Sequence, residues 1–172
     1  MEKEDLILPA ILILVFLILI VAIFSFSGNN TFQTGNVYFE YPNNWAQDHV
    51  VGNFSNSSIY SEVTLTASFN DDAGQTQTAY IIFIMQKRTE GLINIPSTNS
   101  ILMNTTNSSV SSVSVGNFQA SQIGNIGNDI AQKLTIIQTS SHYYVVEYIT
   151  PSFAFNQTEN AYNQILETIR IS

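Results

Sequence analysis

The chain carries two patterns of apolar residues. From Ala10 to Phe24 every one of 15 residues is Ala, Ile, Leu, Val or Phe, whereas beyond Asn36 apolar residues come in short runs broken by Ser, Thr, Asn and Gln. Leu6 through Phe26 is 21 residues, which as a helix measures about 31 Å, the thickness of a bilayer's hydrocarbon core. Pro9 falls in the first turn, where a missing N–H would have had no intrahelical partner. The pattern predicts a transmembrane signal-anchor helix over 6–27, preceded by a cytoplasmic tail at 1–5. Cleavage after Ser27 is the competing reading, because Ser25-Phe26-Ser27 offers the small residues that signal peptidase reads. An apolar run of this length exceeds the roughly 7–15 residues of a usual signal h-region.

The polar, glycine-flanked stretch 28–35 is expected to be a linker, with the folded domain at 36–172. Asn36 to Tyr41 is a β-branched and aromatic run closed by Pro42, so it predicts a first strand. Trp45, the one tryptophan, is expected in the core. Ser58 to Phe69 alternates apolar and polar residues, which predicts a strand with one wet face. Tyr80 to Met85 is unbroken, which predicts a strand covered on both faces near the centre of an antiparallel sheet. Asn70-Asp71-Asp72-Ala73-Gly74 reads as the hairpin between them.

Further strands are predicted at Val113–Ile123, Ile130–Gln138 and Tyr143–Thr150, with turns at Gly124-Asn125, Gly127-Asn128 and Thr139-Ser140-Ser141. A short helix is expected within 96–110. Asn156 with Glu159 three residues on makes a capping-box pattern, and Ala161, Tyr162, Ile165, Leu166 and Ile169 form a helical stripe. A closing helix from about Gln157 to Thr168 should therefore pack on the sheet.

Two local motifs carry a family resemblance. Val37-Tyr38-Phe39-Glu40-Tyr41-Pro42-Asn43-Asn44-Trp45 resembles the opening strand and Tyr-Pro-x-x-Trp of the PsbP-like domains. Tyr143-Tyr144-Val145-Val146-Glu147-Tyr148 and the terminal Ile165-Leu166-Glu167-Thr168-Ile169 are similar to that family's close. The resemblance covers about Thr31 to Ser172 and implies an α+β fold, a central antiparallel β-sheet with packing helices. It also implies an accessory or interaction module. The membrane segment and scarce lysines set the chain apart from the photosynthetic members and bring it nearer their anchored prokaryotic relatives.

Composition narrows the function classes. The sequence holds 5 Lys plus Arg against 13 Asp plus Glu and no cysteine. Nucleic-acid binding needs clustered cations, and Lys87, Arg88, Lys133 and Arg170 do not supply a cluster, so that class is set aside. Without cysteine there are no disulfides and no thiolate metal sites. Lys3 and the α-amino group precede the apolar segment and the next cation is Lys87, a bias that places the N-terminus in the cytoplasm and the domain outside. Asn-x-Ser/Thr triplets at Asn29, Asn53, Asn56, Asn104, Asn107 and Asn156 are consistent with an exported domain and are candidate glycosylation sites.

Candidate chemistry is sparse. His49 and His142 are far apart in sequence, with Asp48 the one nearby ligand for a metal. No Gly-x-Ser-x-Gly occurs, and Gly124 and Gly127 lack the Lys and helix of a phosphate loop and read as turn glycines with positive φ. Asp71 and Asp72 lack the spaced carboxylates of a calcium loop. Glu40 and Glu147 are candidates for a carboxylate pair for sugar cleavage, but alternation makes each the wet member of its strand. Tyr38, Tyr41, Tyr143, Tyr144 and Tyr148 are the candidate interaction surface, set against plain aromatic strand packing. The expectation is a non-enzymatic, membrane-anchored accessory module with no cofactor, whose partners are the bilayer and an envelope protein or polysaccharide. The alternative is a domain that binds a small ligand or cell-wall sugar.

Overall fold

The computed structural model describes residues 28–88 and 109–172. The expected cytoplasmic tail and transmembrane helix lie outside the described residues, as do 96–108 of the short helix expected within 96–110. Among the described residues no helix is long and apolar enough to cross a membrane.

Ten strands and one α-helix order the described chain. A three-stranded sheet runs β1 (Asn29–Thr34), β2 (Val37–Pro42) and β10 (Arg170–Ile171), with β2 in the middle. The seven-stranded sheet is built from β3 (Ala46–Val51), β4 (Tyr60–Asn70), β5 (Thr76–Lys87), β6 (Ser109–Val115), β7 (Phe118–Ile126), β8 (Ile130–Gln138) and β9 (His142–Pro151). Its order is β3-β4-β5-β9-β8-β7-β6, and every pair is antiparallel. A 3-10 turn, Ser152–Ala154, leads into α1, Phe155–Thr168.

Alternation decides which faces meet. On β4, Ser61, Val63, Leu65 and Ala67 are buried while Glu62, Thr64 and Thr66 are only partly so. β5 buries residues on both faces, as its unbroken apolar run predicts, and β9 beside it does so too. The inner face meets the small sheet and α1 in one core. Phe39 packs on Phe83 with ring centroids 5.3 Å apart, Phe83 on Tyr144 at 6.3 Å, and Tyr148 stacks on Tyr162 of α1 at 5.4 Å. A smaller cluster of Ile84, Leu134 and Val145, with Ile82, Ile123 and Ile136 against it, lies on the outer face.

Several expectations are corrected. The segment 28–35 is no linker: Asn29 to Thr34 is β1, paired residue by residue with β2, because Phe32 turns inward onto Phe39 at 4.9 Å. Trp45, 2% exposed, lies in the core as expected, but Ala46–Val51 after it is an additional strand. Val113–Ile123 is two strands joined by Gly116-Asn117, since Val115 pairs with Phe118. That two-residue hairpin needs a residue at positive φ, which Gly116 supplies at 56°. Gly124-Asn125 is strand, with Gly124 opposite Lys133. Neither Gly124 nor Gly127 has positive φ; the Gly127 N–H instead donates to the Ile130 carbonyl.

The capping box at Asn156 does not form either. Helix α1 starts two residues earlier than expected, at Phe155, with Ala154 at its cap and no side-chain cap bond. Glu159 pairs across to Lys133 on β8, and Thr158 donates back to the Ala154 carbonyl at 2.8 Å. The helical stripe is as predicted: Ala161, Tyr162, Ile165 and Leu166 are buried on the inner side.

Candidate functional site: a cleft at the end of the large sheet

Three neighbouring strand ends and two turns enclose a cleft of about 550 Å³. Tyr80 on β5 pairs with Ile149 on β9, and Ile149 with Gln132 on β8, so their side chains stand on the outer face. One pleat further along are Thr78, Pro151 and Ile130. Phe153 of the 3-10 turn closes one side. Tyr80, Ile130 and Phe153 are 40%, 52% and 48% exposed, an unusual density of large apolar side chains at one surface spot of a small domain.

The polar part of the lining comes from two turns and from the strands beside them. Asn128 and Asp129 belong to the β7–β8 turn, and Asp71 and Gln77 to the β4–β5 hairpin. Asp71 is occupied: its Oδ1 accepts from the Ala73 and Gln75 N–H groups at 3.0 and 2.8 Å, and Oδ2 from Gln77 at 3.4 Å. The side chains of Asn128, Asp129, Tyr80 and Thr78 make no hydrogen bond among the described residues. They are open to an incoming partner.

The backbone under these groups is fixed. Ser152 N–H donates to the Asp129 carbonyl at 2.9 Å and Ser152 Oγ to the Gly127 carbonyl at 2.7 Å. These two bonds fasten the turn that carries Phe153 to the turn that carries Asp129. Such a clasp lowers the ordering cost of binding. A second cleft, of about 530 Å³, lies beside Glu40, Phe118, Glu167 and Arg170, and there Arg170 is already set over the Tyr38 ring at 5.4 Å.

The five tyrosines do not share a surface. Tyr41, Tyr144 and Tyr148 are core residues, at 6%, 2% and 0% exposure, and burial raises the Tyr144 and Tyr148 phenols above the ordinary range. Tyr38 and Tyr143 are half-buried on different sheets. Tyr38 donates to Glu40 at 2.7 Å, which raises the phenol and lowers the carboxyl from their usual values. Tyr143 lies under the Arg88 guanidinium at 5.4 Å. Tyr80, exposed and in the cleft, was not among the five.

Nor are the two carboxylates brought together. Glu40 sits on the small sheet, its backbone N–H donating to Thr168 of α1 at 2.9 Å. Glu147 is not the wet member of its strand: it is 3% exposed on the outer face of the large sheet, opposite Ile82 and Leu134. Its Oε1 has no hydrogen-bond partner among the described residues. Burial, with the nearby charge of Glu62, pushes its carboxyl up to about 7.

His142 is fully buried, with ring nitrogens near Ser141 Oγ and the Ser58 carbonyl at 2.9 and 3.3 Å, while His49 and Asp48 are exposed on β3. Among the described residues no three His, Cys, Asp or Glu side chains group to hold a metal. Of the candidate glycosylation sites, Asn29, Asn53, Asn56 and Asn156 are exposed, and Asn104 and Asn107 lie outside the described residues.

No family model and no curated protein sequence matches the chain. Among solved structures, one from Bacteroides thetaiotaomicron VPI-5482 is similar over 83% of this chain and 48% of its own, with a TM-score of 0.49 and 13% identity. The chain thus spans about half the length of that protein. LpqN of Mycobacterium tuberculosis, involved in cell envelope biogenesis, is similar over 84% of this chain and 91% of its own, with a TM-score of 0.49 and 18% identity.

Proposed function

We propose that the chain is a membrane-anchored accessory module, PsbP-like in its opening and closing elements, whose domain stands outside the cytoplasm and binds without transforming what it binds. The apolar segment at 6–27 is its anchor, with the N-terminus in the cytoplasm. The cleft described above is its binding surface. What carries the reading is the chemistry of that lining: the unengaged polar side chains of Thr78, Asn128 and Asp129 and the amphipathic Tyr80 stand beside the exposed Ile130 and Phe153, with no His, Lys or Ser of a nucleophile–base pair among them. The Tyr-Pro-x-x-Trp motif supports the fold assignment, because the Trp45 N–H donates to the Pro42 carbonyl at 3.0 Å and turns the chain from the small sheet to the large one.

The absence of cysteine gives a direct test. A single cysteine placed by Ser57→Cys, on the exposed loop after β3, should react with a membrane-impermeant maleimide in intact cells. The protein should stay with the membrane after carbonate washing. Protection from the reagent until the cells are lysed would sink the proposed orientation, and release by the wash would sink the anchor.

A further inference from the structure

We infer that the cleft takes a short stretch of neutral saccharide; this rests on reading the cleft as the binding surface and names its substrate class. A pyranose ring has an apolar face of polarised C–H bonds and a rim of hydroxyls. The face suits the electron-rich plane of an aromatic ring. Tyr80 and Phe153, 40% and 48% exposed, offer such rings in the cleft, whose lining they share with Ile130 and Ile149.

The rim needs partners that both donate and accept, since each sugar hydroxyl does both. Asn128 supplies an amide with both capacities, Asp129 a carboxylate acceptor, and Thr78 and Tyr80 a hydroxyl each. None of the four is engaged elsewhere among the described residues. The volume of about 550 Å³ falls in the ordinary small-ligand range of about 300–1,000 Å³.

Charge decides between saccharide classes. The lining has Asp71 and Asp129 and no Lys, Arg or His, so uronates, phosphates and sulfates meet repulsion with no cation to offset it. A cationic ligand is the rival, because carboxylate and aromatic together suit an ammonium group. Only Asp129 is free to serve it, since Asp71 is held by its own turn. One exposed ion pair is a weak anchor, and the donors in the lining would find no use. A neutral polyhydroxyl ligand uses the whole set.

The test uses the full chain in phosphocholine nanodiscs, free of sugar detergents. It is titrated with neutral hexose and N-acetylhexosamine oligosaccharides, with an oligouronate, and with spermidine. At least one neutral oligosaccharide should bind and the oligouronate should not. Tyr80→Ala, Phe153→Ala and Asp129→Asn should each weaken that binding by about tenfold or more, while Val50→Ala on the exposed part of β3 should leave it unchanged. Binding of spermidine alone, lost in Asp129→Asn, would overturn the saccharide class and keep the cleft as the site. Saccharide binding that survives both aromatic substitutions would overturn the cleft. No binding of any neutral oligosaccharide overturns the inference.

Discussion

Glu147→Gln should remove most of the pH dependence of stability between the ordinary carboxyl value of 4.5 and the value of about 7 that burial imposes in the fold. In that window the unfolded chain has released the proton and the folded chain keeps it. The folded state then binds more protons, so stability falls as pH rises and levels off above about 7. The separation of the two values corresponds to about 3 kcal/mol. Glutamine has the same shape and no proton to lose. Its amide leaves an unpaired N–H beside Ile82 and Leu134, a penalty of roughly 1 kcal/mol that does not vary with pH. The variant should be slightly less stable than the parent near pH 5 and more stable by about 2 kcal/mol near pH 8. Trp45, 2% exposed, is a built-in reporter for urea titrations. With an m-value of about 1–3 kcal/mol per M, the parent midpoint should drop by about 1–3 M across the window and the variant's should barely move. Parallel movement of the two midpoints would refute the account, because the titrating group would then lie elsewhere.

Other substitutions probe backbone, polar core and surface. Gly35→Ala would place a Cβ 2.3 Å from the Asn53 carbonyl oxygen and 2.5 Å from that of Phe54, at a φ of +55°; a loss of about 3 kcal/mol or more is expected in thermal melting. Tyr162→Phe removes the hydroxyl that meets Thr135 and Gln122 inside the core and should lower stability by about 1–2 kcal/mol in urea titration. Lys133→Met breaks the pair with Glu159, whose side chains are 19% and 28% exposed. Its effect should be at most about 1 kcal/mol at low ionic strength and shrink as salt is added.

Periodicity revealed what periodicity governs. Strand β4, strand β5 and the stripe on α1 were legible because a half-buried strand must alternate, a strand covered on both faces runs apolar without a break, and a packed helix must repeat its apolar positions. Turn chemistry was harder to read, because the same Gly-Asn pair plays different parts. At 35–36 and 116–117 it closes two-residue hairpins, while at 124–125 it lies in mid-strand opposite Lys133 and Gln132. Strand β1 escaped notice because only Phe32 turns inward from its polar run. Edge strands gain their backbone bonds from a neighbour and need little apolar signal of their own. The cleft was illegible for a related reason. Asp71, Tyr80, Asn128 and Phe153 belong to different elements, and only the register of β5 on β9 and β9 on β8 brings them together. Glu147 misled through its type: a carboxylate in an alternating strand ordinarily faces water, yet here the outer face also carries an apolar cluster.

Strand β1 bears on how such a site would operate at a surface. Its pairing begins at Asn29, opposite Pro42, so on the anchored reading Gly28 alone separates the apolar segment from a hydrogen-bonded sheet. One extended residue reaches about 3.5 Å. The cleft would have no slack with which to search and would meet only what lies within the height of its own domain. A polymer fixed in that same layer would then present its repeating units at high effective concentration, with each release followed by recapture nearby. Individual contacts of modest strength would give long residence, and a site that is weak in solution would hold firmly where it stands.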